Sequence, residues 1–170
     1  MELEKNTFFR ETWTFGRGIQ PKEGEGSALL PSDMGMRVAL LYRYSQSYLN
    51  EELKKYGLGN GQYVFLLHLL EHEGINQEKL AHMVKIDKTT AARAVAKLVE
   101  AGYVRRRISE KDRRAYVLSA TDKAKEIKKE IKRAMNDWRK IMLQGFPPED
   151  CQRLDELLEK ALRNVNAGEV

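Results

Sequence analysis

The stretch Val104–Ser119, VRRRISEKDRRAYVLS, carries five arginines and one lysine against two acids. Apolar residues bound it, Tyr103 and Val104 on one side and Tyr116, Val117 and Leu118 on the other. Its middle, Ser109-Glu110-Lys111-Asp112, has the composition of a turn. The pattern predicts a two-stranded hairpin with arginines on both arms and at the tip. Such an object suits a polyanion.

The charge distribution around it agrees. The chain of 170 residues has a net charge of +5. Between Lys85 and Leu118 there are ten basic residues and four acidic ones, a balance of +6, while the other 136 residues sum to −1. An excess confined to one window is the footprint expected of a nucleic-acid partner. Scattered charges would be read as an ordinary solvated face, but these sit on two adjacent elements.

Upstream of the hairpin, Asn76 opens a short helix, Gln77 to Val84, a break follows at Lys85-Ile86, and Asp87 caps a longer helix ending at Gly102. A short helix, a tight turn and a second helix make a helix-turn-helix, and the basic hairpin makes it the winged form. On the second helix Thr89, Thr90, Arg93 and Lys97 fall within an arc of roughly 100°. Ala91, Ala92, Val95, Leu98 and Val99 lie opposite. Small Ala94 and Ala96 flank the polar strip and let the helix approach a groove closely. Threonine hydroxyls and methyls and arginine forks suit base edges in the major groove.

The flanks read as helical. Ser32-Asp33 caps a helix to about Lys55, with Val38, Leu41, Tyr44, Tyr48 and Leu53 inward, and Asn60 caps the next, roughly Gly61 to Glu71. After the hairpin, Thr121-Asp122 caps a long helix to about Gln144, and Pro147-Pro148 starts the last one. Ala124, Ile127, Ile131, Ala134, Trp138 and Ile141 step by three and four, as do Cys151, Leu154, Leu158, Ala161 and Val165. Such seams predict a dimer interface. The expected fold is therefore mainly α with a small β-hairpin wing: a winged helix-turn-helix plus a helical dimerisation layer. The expected divisions are an N-terminal arm at 1–31, a DNA-binding lobe at 60–119, and a dimerisation region at 32–59 and 120–170. The arm is rich in glycine and proline in its second half, yet Phe8, Phe9, Trp13 and Phe15 are too apolar for a free tail.

Composition is that of a folded chain, 42% hydrophobic and 32% charged, with only four prolines and 12 glycines. A single cysteine, Cys151, permits no internal disulfide framework and fits a reducing compartment. No segment has signal-peptide or membrane-span character. A cytoplasmic protein without a membrane partner is expected.

The run NQEKLAHMVKIDKTTAARAVAKLVEAGYVRRRISEKDRRAYVLSATDKAKE resembles the MarR family of bacterial and archaeal transcription regulators. The residues that carry the resemblance are Asp87-Lys88-Thr89-Thr90, Arg93, Leu98, Gly102, Asp112-Arg113-Arg114 and Leu118-Ser119-x-Thr121. It implies a homodimer binding double-stranded DNA, with each recognition helix in a major groove and each wing in the adjacent minor groove. It also implies release by a small, often aromatic or phenolic, effector bound between dimer layer and DNA lobe. By position, Thr89, Thr90 and Arg93 become readers, Arg114 the minor-groove probe and Asp112 the group that orients wing arginines, with a stem arginine such as Arg106 its expected partner. Lys88, Lys97, Arg105, Arg106, Arg107, Lys111 and Arg113 complete the expected DNA-binding set. Many members have an acid or apolar residue where this chain has Arg105, so its wing stem is more basic. Tyr44, Tyr48, His68 and Trp138 are the candidate effector-pocket residues.

Other readings are weaker. His68-Leu69-Leu70-Glu71-His72 spells a zinc-peptidase signature. Its histidines, four apart, could serve a metal-responsive regulator, but surface or packed histidines are the plainer explanation. Peroxide-sensing relatives carry their cysteine near the N-terminus, unlike Cys151, which reads as a small buried hydrophobe. An architectural DNA-binding protein would share the basic window without an effector pocket. No nucleophile–base pair, glycine-rich phosphate loop or carboxylate pair suggests an enzyme, and neither a cofactor nor a resident metal is expected.

Overall fold

A computed structural model describes residues 33–59, 61–109 and 115–167 of the chain. Among them, six helices and a small sheet follow in the order α1 (Met34–Lys54), α2 (Gln62–Glu71), β1 (Ile75–Asn76), α3 (Gln77–Val84), α4 (Lys88–Glu100), β2 (Val104–Ile108), β3 (Tyr116–Ala120), α5 (Asp122–Met142) and α6 (Pro148–Ala167). The N-terminal arm, Asn60 and the wing-tip residues 110–114 lie outside the described residues.

The first turn of α1 is capped as its sequence predicts: the Asp33 carboxylate accepts the Met36 N–H at 3.0 Å. From Leu40 onward the core is built by α2, which buries Tyr63, Phe65, Leu66 and Leu69. Leu49 and Leu53 of α1, Leu80 of α3, Val95 and Leu98 of α4, and Leu118 of β3 close around it. Burying each such leucine contributes about 1.5–3 kcal/mol relative to leaving it in water.

Three expectations are revised. The sheet has three strands, not two: β1 pairs with β3 through Ile75↔Leu118 and Asn76↔Val117, so the order is β1-β3-β2. Two residues carry too little periodicity to read as a strand. The seam of α5 is spent partly inside the chain, where Ala124, Ile127, Ile131 and Ala134 join the core. Finally, Val38, Leu41 and Tyr44 of α1 are exposed, and only Leu49 and Leu53 are fully buried. Leu157, Leu158, Leu162 and Val165 of α6 are uncovered as well, with Leu158 at 45% and Val165 at 69% exposure, while Cys151 and Leu154 are half-buried.

Candidate nucleic-acid interface

Local hydrogen bonding sets α4, the expected recognition helix. The Asp87 carboxylate accepts the N–H groups of Thr89 and Thr90 at 3.0 and 2.9 Å. The Thr90 side chain, then these backbone donors, hold the carboxyl below its usual range. Before α4, Lys85 turns the chain with φ +57°, while its N–H and that of Ile86 bond back to His82 and Ala81. After α4, Gly102 takes φ +75°. Its N–H reaches the Val99 carbonyl and the Tyr103 N–H reaches that of Leu98, the two bonds of a Schellman cap.

The end of α4 is tied to the rest of the lobe. Thr121 donates its hydroxyl to the Gly102 carbonyl at 2.8 Å and caps α5 by accepting the Ala124 N–H. Lys123 donates to the Ala101 carbonyl at 2.7 Å, and its ammonium lies over the Tyr103 ring. A cation at a helix C-terminus also opposes the negative end of the helix dipole.

With α4 held at both ends, its faces separate as expected. Ala91, Val95 and Leu98 are buried, whereas Thr89, Thr90, Arg93 and Lys97 are exposed. Val99, expected on the core side, is instead exposed at 36%. Lys88, at the start of α4, lies 2.9 Å from the Glu78 carboxylate on α3.

The sheet divides the stem arginines in a way their sequence run conceals. β2 pairs with β3 through Arg105↔Ser119, Arg106↔Leu118, Arg107↔Val117 and Ile108↔Tyr116. Side chains alternate along a strand. Arg106 therefore shares a face with Val104, Leu118 and Ala120, which enter the core, and with the exposed Ile108 and Tyr116. Arg105 and Arg107 stand on the opposite face. The Arg106 guanidinium lies 4.5 Å from the centroid of the Tyr116 ring. Asp112, with Lys111, Arg113 and Arg114, falls outside the described residues. A cleft of about 310 Å³, lined by Asn76, Gln77, Glu78, Ala81, Lys88, Ala115 and Tyr116, separates the base of the wing from the starts of α3 and α4.

Of the candidate pocket residues, Tyr48 and Trp138 come together, their ring centroids 5.6 Å apart. Burial, then Glu52 and Asp137, push the Tyr48 hydroxyl up to about 12. Tyr44 is exposed, and His68 is half-buried on α2. His72 is the C-cap of α2, with φ −131°, where the backbone leaves the helix. Among the described residues no group of three or more metal-ligating side chains gathers. Sequence reasoning missed Glu78 and Tyr116. Tyr116 could have been found from the hairpin register, which sets it diagonal to Arg106.

The family model for MarR matches residues 58–116, the span from the start of the lobe to the beginning of β3. A MarR transcriptional regulator from Methanosarcina mazei has a similar crystal structure, with TM-score 0.75 and 39% identity over 78% of this chain and 96% of that one. The chain belongs to the MarR family of transcriptional regulators. A second member of that family, from Peptoclostridium difficile, superposes with TM-score 0.76 and 35% identity, covering 83% of this chain and 92% of its own. The HTH-type transcriptional regulator YybA of Bacillus subtilis is 33% identical over 79% of this chain and 89% of its own length. A MarR-family regulator from Listeria monocytogenes, crystallised with a 26mer DNA, is 29% identical with TM-score 0.71 over 78% of this chain and 89% of its own. The MarR assignment makes this a regulator and not an enzyme. No helix among the described residues is long and apolar enough to cross a membrane.

Proposed function

We propose that this MarR-family chain is a sequence-specific DNA-binding repressor that grips a palindromic operator as a homodimer and is released by a small aromatic or phenolic effector. The observation that carries the reading is the exposed row Thr89, Thr90, Arg93 and Lys97 on a helix capped at both ends, beside a strand bearing three arginines. A helix so held can enter a major groove with little further ordering, and the wing beside it can reach the next minor groove. Lys88, Arg105, Arg106, Arg107, Lys111 and Arg113 supply phosphate contacts, Arg114 probes the minor groove, and Asp112 orients the tip.

The lobe at 60–119 reads DNA, and 32–59 with 120–170 make the dimer layer. Support for the dimer comes from the uncovered Leu157, Leu158, Leu162 and Val165 of α6, a contiguous run of apolar side chains of the kind that marks an interaction surface. Support for the effector site comes from the Tyr48–Trp138 ring pair, with Tyr44 and His68 the other candidate lining residues.

Two measurements test this. About eight to ten phosphate contacts per dimer give a log–log dependence of affinity on salt near −7 to −9, and a slope shallower than about −3 counts against the footprint. Footprinting on genomic fragments should protect a defined palindrome. Uniform coating without a preferred register would favour an architectural DNA-binding protein instead.

A further inference from the structure

We propose that Tyr116 is a positioning residue for DNA binding: its ring holds the Arg106 guanidinium on the recognition-helix side of the wing, where it meets the phosphate backbone passing between helix and wing. The inference rests on the reading above that Arg106 contacts DNA. It adds a division of labour within Arg105-Arg106-Arg107 and a role for an uncharged residue.

The register carries the argument. Arg106 and Tyr116 are diagonal neighbours on one face of β2–β3, and the guanidinium carbon lies 4.5 Å from the ring centroid. The same face carries Val104, Leu118 and Ala120 into the core, so it turns toward α3 and α4. Tyr116 also lines the cleft between the wing base and the starts of these helices. An anion approaching there finds the helix N-termini already occupied, because Asn76 accepts the Glu78 N–H at 2.7 Å and Asp87 accepts those of Thr89 and Thr90. Among the described residues that line the cleft, Lys88 is the cation. Lys88 is paired with Glu78, whereas the Arg106 guanidinium rests on the ring of Tyr116, itself a lining residue. Stacking of this kind restrains the long side chain before DNA arrives, which lowers the ordering cost of the contact. Arg105 and Arg107 stand on the other face, away from the Tyr116 ring.

The experiment uses the full chain and a duplex recovered by the wild-type protein from a random pool. Affinity is titrated over a range of salt for wild type, Arg106→Ala, Tyr116→Val, Tyr116→Phe and the double variant Arg106→Ala/Tyr116→Val. Valine keeps the strand preference of position 116, and phenylalanine keeps the ring. Arg106→Ala should make the salt slope shallower by roughly one per subunit. Tyr116→Val, although it removes no charge, should shift the slope in the same direction and weaken binding about two- to fivefold. Tyr116→Phe should behave as wild type, and the double variant should lose no more than Arg106→Ala alone. Additive losses, a full loss in Tyr116→Phe, or an unchanged slope in Tyr116→Val beside a shifted one in Arg106→Ala overturns the positioning role alone. An unchanged slope in Arg106→Ala overturns the DNA-contact reading of Arg106, and the inference with it.

Discussion

The Tyr103 hydroxyl donates a 2.7 Å hydrogen bond to the backbone carbonyl of Tyr56, 47 residues away in sequence. Tyr103 follows α4 directly, and Tyr56 follows α1, so this bond joins the exit of α4, the proposed recognition helix, to the end of the first helix. Tyr56 in turn donates its own hydroxyl to Glu130 on α5 at 3.2 Å. Removing the first donor leaves a half-buried carbonyl unpaired. Tyr103→Phe should destabilise the fold by about 0.5–1.5 kcal/mol, read as a lower urea midpoint with an unchanged denaturant slope. A midpoint equal to wild type would show that water replaces the hydroxyl.

The Asp87 cap has a pH signature. Its folded carboxyl titrates below the ordinary 3.8. A depressed acid stabilises the fold above its unfolded value, and that contribution disappears as pH falls through the folded value. The Asp87→Ala protein should therefore be less stable than wild type at neutral pH, with the difference shrinking as the solution is acidified below about pH 4. Thermal unfolding at pH 7 and pH 3 measures this, and an unchanged difference would refute it.

Tyr48 has the opposite sense. Its hydroxyl, pushed up to about 12, is neutral in the fold at pH values where an unfolded tyrosine ionises. Its contribution is complete below the ordinary value of 10.0 and is lost as pH rises through about 12. Burial also raises the hydroxyls of Tyr63 and Tyr103, so ultraviolet titration of phenolate should show a late-ionising group of tyrosines that loses one member in Tyr48→Phe. If the variant removes a tyrosine titrating near 10, the environment of Tyr48 has been misjudged.

The uncovered stripe of α6 bears on assembly. Leu158→Glu and Leu162→Glu place charges at exposed positions of the single chain, so the monomer fold should tolerate them. In a dimer interface the same charges are desolvated without partners. Light scattering coupled to gel filtration should give a dimer mass for wild type and a monomer mass for the double variant, with DNA affinity falling in parallel. A monomer mass for wild type at micromolar concentration would count against the dimer.

Arg93 stands at the centre of the exposed row of α4. Arg93→Ala should cost about 1–3 kcal/mol on the selected operator and relax preference at one position in each half-site. Lys111→Ala should weaken all sequences about equally. Equal, sequence-independent losses in both variants would mean that α4 anchors rather than reads.

What the sequence determined by itself is what short-range chemistry encodes. Asn76, Asp87 and Thr121 are caps because their side-chain oxygens reach N–H groups two or three residues ahead. Gly102 ends α4 because the Schellman turn needs a positive φ there. The polar and apolar faces of α4 follow from its own period, with Val99 the exception. What only the tertiary structure decided depends on pairing between distant segments. β1 is a strand because Leu118 and Val117 lie beside it, not because two residues favour extension. Arg106 parts from Arg105 and Arg107 because the β2–β3 register turns alternate side chains to opposite faces, and that register needs both strands. The seam of α5 is core in its first half and half-buried at Trp138 and Ile141, although its spacing is the same throughout. Periodicity says that a face is apolar; what covers that face depends on which other segments pack against it.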